Sequence, residues 1–397
     1  MTALDGVRVL DLADEAGVFA TRILADLGAD VLRVEPPDGG RVRRLAPFLG
    51  DEPGLERSLY HLHHNAGKRS ITLDLETPRG AELLQKLAAS ADVLLETSAP
   101  GRLAELGLGA EALRARNPAL IYVSLTPFGQ RGPWSARKTS DLVAAAAGGL
   151  LFVSGDPADP PTQMGADASY KMASLVALAG CMIALAGRTA DPSGAGTHLD
   201  ISIQQAVAMC VVQTANPNHW VWNGVAPGRP GLSGALECGD GRFVTLNITA
   251  DRFPKFLRWA KELGIETDLD EGDWSRARRD PNQRNAPRRG ILRRVAASYP
   301  RDELLREAWS RDMHALPIQS FEDLASCEHF LATGQFLKLA HEPLGTDLSF
   351  PRSALAAVAG TAVRRRAPLL GEHNAEIYGE LGLKDSDLSR LAAERVI

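Results

Sequence analysis

The stretch best suited to chemistry is Gly165-Ala-Asp-Ala-Ser-Tyr-Lys171, which directly precedes a long apolar run. From Met172 to Ala186 apolar residues recur at three- and four-residue spacing, which predicts a helix with one buried stripe. The first turn of a helix offers free backbone N–H groups and the positive end of the dipole, so a carboxylate there stays ionised. Asp167 is therefore a candidate nucleophile toward a reactive carbonyl. An N-cap aspartate on a core helix fits the same spacing, and the residues alone leave both interpretations open.

The elements that would position this helix alternate between strand and helix patterns. Strands are predicted at 7–12, 30–35, 70–75, 91–96, 120–124 and 198–203, and helices between them at 19–27, 79–89 and 110–116. Further helices are predicted at 204–214, 251–263, 284–298, 302–311, 374–381 and 385–393, and a hairpin turn at 238–241. Such alternation predicts an α/β fold with a Rossmann-like, open, doubly wound parallel sheet.

Ligands of such sheets lie at the carboxyl ends of the strands. The predicted loops there, at 35–41, 96–102 and 126–133, each combine Pro/Gly turns with an arginine, which suits phosphate binding. Lys68 and Arg69 precede the third strand and could grip a pyrophosphate or only cap a loop. No G-x-G-x-x-G or P-loop motif is present, so a dinucleotide fingerprint is not predicted.

Composition excludes several other classes. The chain has 397 residues, 45% of them hydrophobic, and a net charge of -5, which gives no general attraction to nucleic acid or anionic membrane. The basic cluster at 276–294 follows several acids and lacks interleaved aromatics, so a solvated face or an oligomer contact is the better interpretation. Widely spaced cysteines indicate reduced thiols, and no acid or cysteine completes a metal site around the histidines at 61–64.

We expect a soluble, cytoplasmic protein without a membrane span. The N-terminus lacks a basic and an apolar signal region, and the apolar runs at 143–151 and 172–187 are too short or too rich in Gly and Ala. The length predicts two domains, and a loop-rich crossing at 216–231 marks a linker between them.

Several motifs, in order along nearly the whole chain, resemble the class III CoA-transferases, the formyl-CoA and carnitine CoA-transferase family. The matching segments are Leu4–Leu12, Leu24–Val31, Val34–Pro37, Asn65, Lys68–Leu75, Pro100–Gly101, Phe128–Gln130, Gly132–Pro133, Pro368 and Gly371–His373. The resemblance implies a large Rossmann-like domain at 1–215 and 331–397, a linker and smaller α+β domain at 216–330, and an interlocked dimer. It also implies CoA transfer between carboxylic acids, with acyl-CoA as substrate and no permanently bound cofactor.

The resemblance breaks at the family's catalytic aspartate, whose spacing from Gly165 and Gly180 places it at Tyr170. A phenol with an ordinary pKa near 10 cannot replace a carboxylate in anhydride chemistry. The family's first loop usually ends in Ala-Gly-Pro-Tyr; here it reads Asp14-Glu-Ala-Gly-Val-Phe19 and is one residue shorter, which puts two acids where the CoA nucleotide would approach.

Further departures lie in the loop after the fourth strand, where Thr97 and Ser98 replace asparagine and phenylalanine and Glu105 replaces an arginine. Lys138 matches a CoA-contacting lysine, whereas Ser140 replaces the histidine of related racemases. The resemblance and the basic loops together assign CoA binding to five cations: Arg33, Lys68, Arg69, Arg102 and Lys138.

Three functions remain. The first is a non-catalytic subunit of a heteromeric CoA-transferase, as in succinyl-CoA:benzylsuccinate CoA-transferase, whose active paralogue supplies the aspartate for acids such as succinate and an aromatic or other organic acid. The second is an active homo- or heteromeric CoA-transferase that uses Asp167, one helical turn from position 170. The third is a CoA-dependent lyase, hydratase or acyl-CoA binder with Tyr170 as the acid.

Overall fold

A computed structural model describes residues 2–155, 160–212, 224, 235–249, 251–270, 286–352, 355 and 365–397. By contacts the chain divides into two compact units, one formed by Met1–Ser154, Pro161–Gly228 and Gln335–Ile397, the other by Gly155–Pro160 and Arg229–Gly334. The first is called the large unit and the second the small unit. The domain boundaries predicted at 215 and 330 stay predictions.

The large unit is built on strands and helices that alternate along the chain. Its strands are β1 (Arg8–Leu12), β2 (Asp30–Glu35), β3 (Arg69–Thr72), β4 (Val93–Glu96), β5 (Ile121–Thr126), β6 (His198–Ser202), β10 (Phe336–His341) and β11 (Thr346–Pro351). Its helices are α1 (Val18–Asp26), α2 (Leu59–Asn65), α3 (Pro78–Ala88), α4 (Arg102–Glu105), α5 (Ala110–Arg116), α6 (Asp141–Ala147), α7 (Leu150–Val153), α8 (Ala168–Ala190), α9 (Ile203–Val212), α15 (Asn374–Glu380) and α16 (Asp385–Ala393).

Six strands form a parallel sheet in the order β3-β2-β1-β4-β5-β6, which confirms the predicted mixed α/β fold with a parallel sheet. Successive side chains point to opposite faces, so Val9 joins the core beneath α1 and α8, whereas Leu10 joins the core beneath α3, α5 and the tail helices. Because helices cover both faces, the strands are apolar along most of their length.

The tail of the chain completes the large unit beside β3. His373 N donates to Ser70 O at 2.9 Å, and the Asn374 carboxamide accepts from Thr72 N at 2.9 Å. β3 ends at Thr72, earlier than predicted, because Thr72 pairs with Glu35, the last residue of β2. α15 and α16 follow the predicted ranges closely.

The helix after the Gly165–Lys171 stretch is longer than the apolar run suggests. α8 spans 23 residues, and its length and mean hydropathy of 1.6 would suffice to cross a membrane. This corrects the expectation that no apolar run is long enough. Buried core helices pass the same test, and α8 contributes Ala177, Leu178 and Cys181 to the core beneath the sheet.

The small unit contains a three-stranded antiparallel sheet and several helices. Its described elements are β7 (Ala235–Glu237), β8 (Phe243–Asn247), β9 (His314–Pro317), α10 (Phe253–Glu262), α11 (Ala286–Ala297), α12 (Arg301–Ser310), α13 (Phe321–Ala325) and α14 (Glu328–Ala332). The predicted hairpin turn is present: Cys238 N donates to Arg242 O at 2.8 Å, and Gly241 has a φ of 77°. Most of the predicted linker at 216–231 and most of the basic cluster at 276–294 lie outside the described residues.

Candidate active site

The sheet order creates a crevice between β1 and β4. The chain runs outward from β1 through β2 to β3, and from β4 through β5 to β6, so the loops after β1 and β4 diverge at the carboxyl edge. In open α/β sheets this topological switch point is where ligands bind. Asp14 N donates to Thr97 Oγ1 at 2.8 Å and thereby ties the two loops together at the base of the crevice.

The loop after β1 is fixed against the start of α8. Ala16 N donates to Asp14 Oδ1 at 2.9 Å, which closes a tight turn, and Ser174 Oγ donates to Ala16 O at 3.0 Å. Gly17 is packed so closely that a Cβ would lie 3.0 Å from side-chain carbons of Leu95 and Thr97. Asp14 and Glu15 are therefore held beside the first turns of α8.

The N-terminus of α8 is capped from outside the helix. Asp141, only 8% exposed, accepts hydrogen bonds through Oδ1 from Ser169 N at 2.8 Å and Tyr170 N at 3.2 Å. Asp167 occupies the N-cap position with φ 52° and ψ 46°, but its side chain makes no capping hydrogen bond. The interpretation of Asp167 as a capping residue is therefore wrong, because Asp141 already accepts the exposed backbone N–H groups.

Tyr170 lies in the first turn of α8 among carboxylates. It is 9% exposed, and burial, together with the negative charges of Glu15, Asp14 and Asp141, raises its pKa well above the ordinary value. Its hydroxyl forms no hydrogen bond with any of the residues that the structure describes. The phenol is therefore neutral at physiological pH and free to donate a hydrogen bond, but it is a poor nucleophile.

Glu15 is the carboxylate whose charge acts most strongly on Tyr170. Its Oε1 is 2.8 Å from Arg41 Nη2, while Oε2 is buried with no hydrogen-bond partner within the described part of the chain. Burial and the charges of Asp14 and Asp167 raise the pKa of Glu15. Glu15 can be recognised as an acid from the sequence. Its proximity to Tyr170 cannot, because it depends on how the loop after β1 packs against α8.

Asp167 is half-buried and faces α2. Burial and the nearby Asp167 charge both raise the pKa of Tyr60, whose hydroxyl donates a hydrogen bond to Glu15 O at 3.4 Å. Tyr60 stacks on His64 with ring centroids 4.2 Å apart. The structure therefore brings the two candidate residues, Asp167 and Tyr170, to the same end of α8, and it adds Tyr60 and Glu15, which sequence reasoning did not assign to the site.

Two of the five cations assigned to CoA are buried. Lys68 Nζ donates to Asp11 Oδ2 and to Thr21 Oγ1, both at 2.8 Å, and Arg33 Nη1 is 3.1 Å from Asp11 Oδ1. Burial lowers the pKa of Lys68 to about 8, although the Asp11 charge acts in the opposite direction. These contacts fix β1, β2 and α1 relative to one another, and a role of either cation in CoA binding stays a prediction.

Two other cations are ion-paired. Arg69 begins β3 at the amino edge of the sheet, opposite the crevice, where it pairs with Asp30 and Glu376. Arg102 follows β4 at the carboxyl edge, where it pairs with Glu76 and, at 3.0 Å, with Glu105. Glu105 stands where the resemblance places an arginine, so this loop carries less positive charge than the resemblance implies.

Lys138, the fifth cation, is exposed in the loop after β5. Glu96, Ser124 and Asp200 line a polar cavity of about 450 Å³ from three adjacent strands. Burial raises the pKa of Glu96 to about 7, although Ser98 N donates a hydrogen bond to Glu96 Oε2 at 2.6 Å. Within the described ranges no group of three His, Cys, Asp or Glu side chains could hold a metal ion.

Comparisons with known proteins agree with this architecture. The profile of CoA-transferase family III matches residues 4–374. The chain is 32% identical to subunit BbsE of succinyl-CoA:(R)-benzylsuccinate CoA-transferase from Thauera aromatica, covering 97% of this chain and 95% of the relative. It is 30% identical to the succinyl-CoA–L-malate CoA-transferase beta subunit from Chloroflexus aurantiacus, covering 99% and 98%.

Among solved structures, a CAIB/BAIF family protein from Brucella suis superposes with a TM-score of 0.79 at 30% identity, covering 96% of this chain and 99% of that one. The family match and the relatives extend over nearly the full length of the chain. The chain therefore belongs to CoA-transferase family III, the class III CoA-transferases.

Proposed function

We propose that this chain is one subunit of a heteromeric class III CoA-transferase, and that a paralogous chain supplies the nucleophilic aspartate. In that partner the aspartate would attack the acyl-CoA carbonyl, form an acyl anhydride and release CoA thiolate. The thiolate would then attack the aspartyl carbonyl, release the first acid and leave an aspartyl-CoA thioester. An acceptor carboxylate would reverse these two steps and leave as the new CoA thioester.

The single observation that supports the proposal is the neutral Tyr170 phenol, at the position to which the resemblance assigns the family's catalytic aspartate. It is buried, and the surrounding carboxylates raise its pKa, so its oxygen stays protonated. A protonated phenol neither attacks a thioester efficiently nor forms the anhydride on which the reaction depends. Two of the relatives are themselves subunits of CoA-transferases that act on succinyl-CoA, which fits a divided enzyme.

The substrates we propose are a dicarboxylic donor such as succinyl-CoA and a second organic acid. CoA would lie at the carboxyl edge of the sheet, with its thioester toward the crevice between β1 and β4 and with Lys138 near its phosphates. The buried Arg33 and Lys68 would support that edge from beneath, and Arg69 would hold β3 to the tail. The two kinds of subunit would interlock as the family resemblance implies.

A second candidate is an active transferase that uses Asp167. The observation in its favour is that Asp167 is not used as a helix cap, lies at the same helix end as Tyr170 and is partly exposed. Against it, Asp167 shares the site with the ionisable Glu15, whose negative charge would oppose the approach of an anionic substrate.

One experiment separates the two candidates. The chain is expressed alone and together with a paralogous class III chain from the same genome, and transfer of CoA from succinyl-CoA to a panel of carboxylic acids is followed by chromatography. We expect turnover only from the pair, full loss when the partner's aspartate is changed to asparagine, and little change with Tyr170→Phe or Asp167→Asn in this chain. Turnover by the isolated chain that Asp167→Asn abolishes would instead establish the second candidate.

A further inference from the structure

Glu96, the last residue of β4, is a buried acid to which the proposed chemistry gives no role. It is 3% exposed, and it lines the polar cavity of about 450 Å³ together with Ser124, its neighbour in β5. Glu35, the last residue of β2, is also buried, but its Oε2 lies 2.9 Å from Arg43 Nη2. Among the residues that the structure describes, no lysine or arginine forms such an ion pair with Glu96. A buried carboxyl group without a compensating cation is costly, and such groups are concentrated at functional sites.

The Glu96 carboxyl group closes the turn that follows β4. Ser98 N donates to Glu96 Oε2 at 2.6 Å, so Thr97 lies at the apex of that turn. On its other side Thr97 contacts the loop after β1: its Oγ1 accepts from Asp14 N at 2.8 Å, and a Cβ on Gly17 would lie 3.0 Å from its Cγ2. Glu96 therefore fixes a residue that packs directly against the opposite wall of the crevice.

The contacts continue from Asp14 to α8. Ala16 N donates to Asp14 Oδ1 at 2.9 Å, and Ser174 Oγ donates to Ala16 O at 3.0 Å. Glu15 lies between Asp14 and Ala16 in this loop. Because closely packed elements transmit displacements, a shift of Thr97 would move Glu15 relative to the start of α8.

Two charge states of Glu96 are accessible near neutral pH. Burial and the negative charge of Asp14 raise its pKa to about 7, although the Ser98 N–H acts in the opposite direction. The ionised carboxylate accepts a charge-assisted hydrogen bond, about twice as strong as one to a neutral carboxyl group, so the turn is held more tightly in this state. Burial lowers the pKa of His198, whose Nε2 is 3.0 Å from Ser124 Oγ, below its ordinary value. The other titratable groups that act on Glu96 or line the cavity are Asp14 in the loop after β1, Tyr122 in β5, Asp200 in β6, Glu111 in α5 and Arg131 in the loop after β5.

We propose that Glu96 is a positioning residue for the crevice between β1 and β4: its carboxylate orders the loop after β4, and protonation of the carboxylate loosens that loop. A ligand of the crevice then meets an ordered site above neutral pH. Below neutral pH the ligand has to order the loop itself, which weakens its binding. The proposal rests on the proposed function only for the identity of that ligand, a CoA thioester.

The test is a titration of the full chain, labelled with 15N-serine and followed by NMR across neutral pH. The Ser98 amide reports on the turn after β4, and the Ser174 amide reports on α8. We expect both amide shifts to change with one inflection near pH 7. Both inflections should disappear in Glu96→Gln, which keeps the shape of the side chain and removes its charge. Thr97→Val removes the hydrogen bond to Asp14, so it should keep the inflection of Ser98 and abolish that of Ser174.

Glu111→Gln is the matched control, because Glu111 is an exposed acid that lines the same cavity from α5. Glu111→Gln and His198→Gln should both leave the two inflections in place. An inflection that persists in Glu96→Gln, or one that His198→Gln abolishes, would overturn the proposal. So would a titration of Ser98 that Ser174 does not follow in the parent chain, since positioning of the crevice requires both.

The ligand is tested separately with butyryl-pantetheine, an uncharged thioester that a charged Glu96 does not repel. We expect it to bind severalfold more tightly above neutral pH than below it, with no such difference in Glu96→Gln. Equal affinity on both sides of neutral pH in the parent chain would overturn the proposal. An absence of binding by the chain, both alone and purified with its paralogue, would count against the proposed function, while the two serine titrations still decide the role of Glu96.

Discussion

Replacing Asp141 by alanine should destabilise the large unit more than any change at Asp167. Asp141 Oδ1 accepts from Ser169 N at 2.8 Å and from Tyr170 N at 3.2 Å, and the residue is 8% exposed. Removal of the carboxylate leaves these two N–H groups at the start of a 23-residue helix without their acceptor. It also removes a negative charge from the positive end of the helix dipole.

The magnitude follows from these two contributions. Loss of an N-cap oxygen costs about 0.5–2 kcal/mol, and loss of a partly buried charge at a helix terminus costs up to about 2 kcal/mol. Because both terms describe the same hydrogen bonds in part, we expect about 2–3 kcal/mol for Asp141→Ala. Asp167→Asn removes no capping hydrogen bond, and asparagine tolerates the left-handed φ of 52°, so we expect a change within about 1 kcal/mol.

The measurement is urea unfolding of the two variants and the parent chain, with the free energy of unfolding compared at a common slope. The order of the two effects is the decisive readout. A cost for Asp167→Asn equal to or above that of Asp141→Ala would refute the capping assignment. A cost below about 0.5 kcal/mol for Asp141→Ala would refute it as well, since a buried double acceptor cannot be removed so cheaply.

Three further outcomes follow from the charges. Tyr170→Asp alone should form less hydroxylamine-sensitive adduct with succinyl-CoA than Tyr170→Asp combined with Glu15→Gln, because the negative charge of Glu15, which raises the pKa of Tyr170, would also disfavour the ionised form of the new carboxyl. Burial would raise the pKa of Glu35, but the charges of Arg33 and Arg43 lower it to about 2. The ionised Glu35 therefore stabilises the folded chain fully above pH 4.5. The difference in unfolding free energy between the parent chain and Glu35→Gln should therefore shrink by about 3 kcal/mol as the pH falls from 4.5 toward 2, measured by urea unfolding. In calorimetry, Arg69→Ala should leave the CoA affinity within about twofold, whereas Lys138→Ala should lower it severalfold. The reason is that, of these two residues, Lys138 lies at the carboxyl edge of the sheet and Arg69 at the amino edge.

The scaffold was predictable because its determinants are local. β2 and α5 have the predicted bounds, Asp30–Glu35 and Ala110–Arg116, since apolar periodicity and flanking Gly and Pro residues define them. The β7–β8 hairpin follows from its turn residues in the same way. Alternation of strands and helices then restricts the sheet to a parallel, doubly wound form.

The partners of the charged residues were not predictable from spacing. Lys68 contacts Asp11 and Thr21, which lie far from it in sequence, so a lysine that resembles a phosphate ligand is a buried ion-pair partner. Arg69 is adjacent in sequence, yet its side chain lies at the opposite edge of the sheet, because the first residue of a parallel strand is at the amino end. Residue type indicates a capacity for binding, and only the tertiary structure decides which groups remain available.

Asp141 shows the same limit at the candidate site. The sequence places an aspartate, Asp167, directly before α8, and local rules assign it the cap. The residue that caps the helix comes from α6, and it leaves Asp167 in a left-handed conformation, near enough to Tyr60 for its charge to raise the pKa of that phenol. The sequence does show Asp141 as an acid ahead of an alanine-rich run. Which helix its carboxylate caps depends on how the helices pack together, and the sequence does not reveal that.

The neutral phenol of Tyr170 is compatible with the two acids of the first loop, Asp14 and Glu15. Asp14, Glu15 and Asp141 all raise the pKa of Tyr170, so an ionised side chain at that position would be opposed by each of them in a site with little water. A phenol avoids that repulsion and can donate a hydrogen bond to a carboxylate. Because the acids of the first loop suit a neutral partner, a carboxyl group that replaced the phenol alone would have a raised pKa. Under the proposed function, an ionised carboxylate at position 170 would therefore require changes in two elements of this chain, the start of α8 and the loop after β1.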